Sequence, residues 1–506
     1  MANKNFKVER VYDMADTFKE LYTQGHDRKI FNNLYGLIVS ESNILLAMKN
    51  VSTDIGRHTK GIDGKTIETY EKMSVDELIG IVKRRLTNFK PMKVKRIFIP
   101  KADGSKRTLG ILTFEDRLIQ QCIRQVLEPI CESQFHPDSF GFRSLRSTKH
   151  AVIKMITLMQ MTKYDYCVDV DIEKFFDNVN HEVLINQIDN LGIHDKKLLA
   201  IISKMLKVNV EGEGIKRIGL IQGGVLSPLF SNIVLNELDW WLNSQCNTAN
   251  KTPADNKIYF VRYADDFKIL CKTFSDAFKV FNSVKSWLKD KLKLDISAEK
   301  SKITNLRTQG TEFLGFKIKS NLKDGVYSVE SHISDNNKLK IQNNLCKIIS
   351  RIDLNGKNAK KVLKNLNRQI AVSHSYYQSA SHVHQDFISI SRHCQSLLDD
   401  KLKNIAQKVP FPGFSEVMTY KVDDVILIPI ECVSHKKLAA LPYGANIYTG
   451  THLTKSNVSR FSKVSMKKYN STKKKPTSKI SHLETPSLLQ TIKTSINKFL
   501  DRLKFM

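Results

Sequence analysis

Apolar side chains recur at helical intervals through the first ninety residues, as in 31–39 (FNNLYGLIV), and the spacing predicts a mainly helical segment over 1–90. That run closes on the polar stretch 59–64 (TKGIDG). Gly61 and Gly64 there mark either a plain connector or a turn needing positive φ or close backbone approach. From residue 93 the pattern turns strand-like. Val94, Ile97 and Ile99 lead to Asp103-Gly104 and a second strand at 108–111, as in a hairpin. Residues 114–130 read as an amphipathic helix with Leu118, Ile119, Cys122, Ile123, Val126 and Leu127 inward, ending near Pro129.

Further on, 166–171 (YCVDVD) is a strand, 182–209 is helical, and 219–232 (GLIQGGVLSPLFSN) is a Gln-Gly-Gly turn entering a helix that continues to about residue 242. Pro228 sits in that helix's first turn, where proline is tolerated. The stretch 259–271 (YFVRYADDFKILC) reads as apolar strand, tight turn, apolar strand. A helix with Phe274, Phe278, Phe281, Leu288 and Leu292 on one face follows, then a short buried strand at 313–316 (FLGF). Helices are expected over 335–405, short strands around 425–430, and a last helix from 485.

With 506 residues the chain is long enough for two to four domains, and 41% hydrophobic residues suit globular cores. Charge changes the picture: 80 Lys+Arg against 51 Asp+Glu give a formal +29, which points to a polyanionic partner. No apolar run has the length of a spanning helix and the polar start (MANKNFKVER) lacks a signal-peptide core, so nucleic acid is expected and a membrane is not. The eight cysteines include no CxxC pair, which suggests reduced thiols in a cytosol-like compartment and argues against a zinc ribbon. Residues 451–506 carry 13 Lys+Arg against 2 Asp+Glu, mostly in a Ser/Thr/Lys stretch too polar to build a core.

Candidate chemistry centres on Asp265 and Asp266 at the turn of 259–271. Adjacent carboxylates repel, and a divalent cation would relieve that repulsion; a solvated hairpin turn is the plainer alternative. A third acid, Asp171, ends the strand 166–171, with Asp169 on the same face. If the two elements share a sheet, three carboxylates meet at one end of it and offer the oxygen-rich site that two Mg²⁺ ions need for nucleotidyl transfer. Lys101 and Arg107, near the first hairpin's turn, fit a phosphate clamp, although a charge run is usually a solvated face. Gln222 with Gly223 and Gly224 lets backbone approach a ligand closely. Arg143 and Arg146 lie among the aromatics of 135–146, a mixture able to stack on bases and pair with phosphates.

Taken together, GIDG (61–64), VKRIFIPKADGSKRTLGI (94–111), SFGFRS (139–144), DVDIEKFFDNVNH (169–181), QGGVLSPLFSN (222–232), RYADDF (262–267), SAEKSKI (297–303) and FLGF (313–316) resemble, in order, the reverse transcriptases encoded by group II introns. The resemblance implies an α+β right-hand polymerase. Its parts would be a template-gripping extension (1–90), fingers and palm built on an antiparallel sheet with helices (91–325), an α-helical thumb with maturase-like character (326–408), a maturase-like remainder (409–454) and a basic DNA- or RNA-binding tail (455–506). It implies that Asp171, Ile172, Asp265 and Asp266 hold two Mg²⁺, with Mn²⁺ as a substitute. Lys101, Arg107, Phe176, Gln222 and Lys300 would bind the nucleotide, Phe176 as the gate against a 2′-hydroxyl. Tyr263, Arg143, Gly223 and Gly224 would face primer and template.

Implied partners are dNTPs, a DNA primer or target and a structured RNA, with homodimerisation left open; the implied place is the bacterial cytoplasm ahead of an organelle. The thumb stretch LNRQIAVSHSYYQ (366–378) lacks the Gly-Trp usual before the paired tyrosines, and 431–453 matches loosely. The resemblance as a whole implies RNA-directed DNA synthesis in intron splicing and retrohoming, and the thumb departures bear on the splicing part alone. Two alternatives stand beside it: a domesticated or antiviral-defence enzyme with a dedicated non-coding RNA, and an RNA-binding splicing cofactor without polymerase activity. No zinc-nuclease-like array follows the tail.

Overall fold

The structure, a computed structural model, describes residues 8–100, 104, 106–247, 258–353, 358–403, 406–411, 414–422 and 424–431. Lys101, the maturase-like stretch 432–454, the basic tail 455–506 and the helix expected from 485 thus lie outside the described residues. The architecture is α+β with antiparallel sheets, as expected.

Helices Val8–His26, Glu41–Ser52 and Val75–Thr87 pack on the long helix Phe114–Gln134. Three of the four begin where a side-chain oxygen accepts from an otherwise orphaned amide: Ser40 from Asn43, Ser74 from Glu77 in a reciprocal capping box, and Thr113 from Asp116. The expected apolar stripe Leu118 to Leu127 is fully buried. The helix does not end at Pro129; it runs on to Gln134. Buried Ile130 and Cys131 beyond the proline supply packing that outweighs a penalty of about 3 kcal/mol. The Gly61–Gly64 turn uses both glycine properties. A Cβ on Gly61 would stand 2.7 Å from Thr113 Cα, and Gly64 has φ +71.

At the centre is a four-stranded antiparallel sheet in the order Tyr259–Tyr263, Asp266–Cys271, Tyr166–Asp171, Lys302–Asn305. Its two faces serve different cores. Val168, Val170, Phe260, Phe267 and Ile269 join the core of the N-terminal helices and the helix Ser227–Asn247. Cys167, Val261 and Leu270, one position out of step, join a second core with the downstream hairpin and helices.

That hairpin, Phe316–Lys323 with Val326–Ile333, straddles residue 325, so helices begin only at Asp335. The sequence FLGF is not a strand. Leu314 (φ +52) and Gly315 (φ +82) are the two central residues of a tight turn joining Thr311–Phe313 to Phe316–Lys323. Helix Phe274–Trp287 also differs from expectation. Phe274 and Phe278 are each 55% exposed, and small Ala277 with Val284 faces inward, letting the helix sit close to the sheet. Leu288 and Leu292 are buried through a π turn.

Helices Asp335–Ile349, Ala359–Tyr377 and Val383–Leu402 follow. A small sheet of Gln407–Phe411, Phe414–Val422 and Val425–Ile426 docks on them, with the Asn367 amide donating to the Ile426 carbonyl and accepting from the Ile428 amide. The strand expected over 425–430 is confined to Val425–Ile426. No helix among the described residues is long and apolar enough to cross a membrane.

Candidate active site

Strand pairing sets Asp171 directly opposite Asp266, and Tyr263 opposite Asp266 on the other side, so the three acids do meet at one end of the sheet. Directly opposed side chains stand about 5 Å apart at Cβ. Alternation places Asp169, Asp171, Asp266 and Lys268 on one face, that of the second core.

Burial pushes the Asp265 carboxyl above the usual carboxylate range, and the charge of Asp171 adds to the rise; a backbone hydrogen bond, Arg262 and Arg107 oppose it. Asp266 is raised by burial in the same way, against the pull of Lys268, although 40% of its side chain meets solvent. Lys268 bridges Asp266 at 3.2 Å and Asp169 at 3.4 Å. Burial works against its charge, but those two carboxylates outweigh it and raise its pKa above the ordinary lysine value. Lys300 reaches Asp171 at 3.7 Å, so the structure joins it to the acids. The segment around it grips the Asp171 backbone: Ser297 N–H donates to the Asp171 carbonyl, and the Ser301 hydroxyl accepts from the Asp171 amide. Ile172 is buried and bridges to Ile296, so only its main chain could reach a metal.

The turn itself is held from behind. Ala264 has φ +57, a conformation costing a non-glycine residue about 1–2 kcal/mol. Arg262, 1% exposed, donates to the Ala264 carbonyl at 2.8 Å and to Asn232 Oδ1 at 3.1 Å, and forms a two-pronged pair with Asp239, which is 0% exposed. Asn232 in turn donates to the Gly141 carbonyl. The 139–141 segment runs beside Arg262, with Phe140 N–H donating to the Arg262 carbonyl, and a Cβ on Gly141 would fall 2.2 Å from Ala264 N. The three motifs SFGFRS, QGGVLSPLFSN and RYADDF thus interlock at Asn232.

Across from the acids, Arg107 donates to Gln222 Oε1 at 3.2 Å, so hairpin and Gln-Gly-Gly turn meet as expected. Gly110 N–H donates to the Gln222 carbonyl, and Gly223 (φ +102) sits so close beneath that a Cβ would stand 2.9 Å from the Gly110 carbonyl. Gly224 is buried over Ser227. Phe176 stands edge-on to Phe142 at 6.5 Å and to Phe175 at 5.5 Å, and its carbonyl accepts from Leu220, which ties this aromatic patch to the Gln222 turn. Tyr263 is partly buried against the second core, within electrostatic reach of Tyr376.

Arg143, expected to face primer and template, is engaged by its own loop. It is buried, pairs with Glu132 through Nε and NH2, donates to the carbonyls of His136 and Ser139, and lies 5.3 Å over the Phe135 ring. Its guanidinium shapes the 135–144 loop from inside. Arg262, Asn232, Asp239 and Lys268 escaped notice in the sequence. A lysine between Phe267 and Ile269 in a buried strand was the one available signal, since such a charge needs a paired acid.

A turn of carboxylates on an antiparallel sheet, faced by a basic hairpin and an aromatic shelf, is the arrangement of a template-directed nucleotidyl transferase with a palm. The family described as reverse transcriptase (RNA-dependent DNA polymerase) matches residues 99–318. The chain is 30% identical over 293 residues to Protein YkfC of Escherichia coli (strain K12), covering 52% of this chain and 76% of that protein. It is 30% identical over 348 residues to the Group II intron-encoded protein LtrA of Lactococcus lactis subsp. cremoris (58% and 57%), and 25% identical over 337 residues to Maturase-like protein 1 of Euglena gracilis (64% and 66%). The matched region spans little more than half of LtrA. This chain belongs to the group II intron-encoded reverse transcriptase and maturase family, and its enzymatic class is RNA-directed DNA polymerase.

Proposed function

We propose that the chain copies an intron RNA into DNA, using two Mg²⁺ held by Asp171, Asp265 and Asp266, and that it serves splicing and retrohoming of that intron. The observation that carries this reading is the convergence of the three acids at one sheet end, opposite the joined Arg107 and Gln222. The donor set is all oxygen, which suits a hard cation, and the acids carry repulsion that such a cation relieves. Enzymes of the family generally use divalent metal ions; Asp171, Asp265 and Asp266 would hold them, and the chemistry supplied there would be activation of a primer 3′-hydroxyl and neutralisation of charge on the leaving pyrophosphate.

The chain's own residues account for the rest. Arg107 and Lys101 meet the triphosphate, Gln222 and the backbone at Gly223 and Gly224 position the nucleotide, and Tyr263 steadies the primer end. Lys300 neutralises Asp171 until substrate arrives. Phe176, pinned edge-on between two other rings, closes the space beside C2′ of the incoming sugar. Phe176→Ala should raise ribonucleotide incorporation relative to deoxyribonucleotide by about tenfold or more. Single-nucleotide extension with matched rNTP and dNTP pairs measures it, and unchanged discrimination would place the gate elsewhere. The extension 1–90 and the tail 455–506 are proposed to hold template and target.

The test is to transcribe the RNA that flanks the reading frame and incubate it with purified protein in Mg²⁺. Protein-dependent lariat release and cDNA starting in that RNA are expected. Synthesis on arbitrary primer–templates with no effect on the flanking RNA would keep the polymerase and overturn the intron role.

A further inference from the structure

We propose a second metal site, for a first-row divalent cation of the zinc type, formed by Glu330, His332 and His382 where the hairpin meets the last long helix. Glu330 and His332 alternate on the outer side of strand Val326–Ile333, whose intervening Val329, Ser331 and Ile333 point into the core. His382 immediately precedes helix Val383–Leu402. One ligand atom from each of the three lies within 4.8 Å of the others, and all three side chains are half-buried.

The surroundings resemble the outer shell of a metal centre. His332 Nδ1 lies 3.2 Å from Asp386 Oδ1, and His382 Nδ1 lies 2.8 Å from the Ser381 hydroxyl, which leaves Nε2 of each ring for an ion. A ligating histidine whose other nitrogen is held by a carboxylate or hydroxyl is the usual arrangement. Asp386 is itself fixed by the Ile333 amide and by Lys338, so it orients His332 and is not a ligand. The Glu330 side chain has no hydrogen bond or ion pair among the described residues, and the two imidazoles stack at 4.5 Å, 21° apart. Donor atoms in a tetrahedral zinc site are about 3.3 Å apart. Rotation of half-exposed side chains closes the difference, while the backbones are already stitched: the Ser331 amide donates to the Ser381 hydroxyl and the His382 amide to the Ser331 carbonyl. Two imidazoles and one carboxylate favour Zn²⁺, Co²⁺ or Ni²⁺ over Mg²⁺, with water in the fourth position. The ion would brace the junction between sheet and thumb helices, well separated in sequence from the polymerase acids.

The full chain carrying Asp265→Asn and Asp266→Asn, freed of metal, is titrated with Co²⁺. We expect one equivalent giving the visible absorption of a tetrahedral site without thiolate bands in the near ultraviolet, and a melting temperature raised by a few degrees with Zn²⁺. Glu330→Gln, a near-isosteric surface change, should weaken binding at least tenfold, and His332→Ala with His382→Ala should abolish both readouts. The metal-free Glu330→Gln variant should melt with the parent, which separates ligand loss from misfolding. Absence of the absorption, or its persistence in the double histidine variant, overturns the site.

Discussion

Asp265→Asn or Asp266→Asn should each lower Mg²⁺-dependent primer extension on an RNA template by at least about 10³-fold, roughly 4 kcal/mol of transition-state stabilisation. Steady-state extension with RNA binding measured alongside is the check; a variant that extends at the parent rate sinks the assignment. Their stabilities should part company. In the fold Asp265 has a raised pKa, so its ionised form lowers stability at neutral pH, and the loss is recovered as pH falls through the raised value towards the unfolded one. Asp265→Asn removes that charge and should raise the metal-free melting temperature by about 2 °C at pH 7. Asp266 differs because it is a partner of buried Lys268, so Asp266→Asn should bring no such gain. A lower melting temperature for Asp265→Asn would mean that the carboxylate is paired.

Arg262→Met should destabilise the protein by about 3–5 kcal/mol, because it leaves Asp239 charged in a fully buried place with no counter-ion. Activity should suffer beyond stability: the Ala264 carbonyl loses its donor, and the turn that carries Asp265 can drift. A displacement of 1 Å at a reacting centre costs about 10²-fold. The double variant Arg262→Met with Asp239→Leu separates the effects. Melting should recover much of the loss, since no orphaned charge remains, while extension at a temperature where both are folded should stay down. Full recovery of extension would make Arg262 a packing residue only.

The sequence made the three acids legible because Asp171 closes one strand and Asp265-Asp266 sit at the turn joining two others, all with a clear apolar pattern, and because the motifs around them come in order. It did not reveal the loop partners of Arg143, since an arginine among aromatics looks the same whether its partners are phosphates or the carbonyls and carboxylate of its own loop. Asn232 and Asp239 were silent because their partners lie 23 to 91 residues away, and Lys268 because one of its two acids, Asp169, sits on a neighbouring strand; pairing at that range is a property of the sheet, not of spacing. FLGF failed for a local reason: alternation has no meaning across four residues, and the left-handed Leu314 carries no compositional mark. The helix from Phe274 failed because two apolar stripes competed and the smaller one, built on Ala277, allowed closer approach.

The sheet that carries the acids has a different interior on each side, and this bears on what the gene can tolerate. A single-codon insertion or deletion within 166–171 or 266–271 would exchange every side chain between the two cores. It would also turn Asp171 or Asp266 away from the end where they meet. Substitutions at Val168 or Ile269 trade one apolar shape for another, but length in these strands is not negotiable. Drift in this lineage should therefore accumulate as replacements here, and as gaps only in the connections between strands.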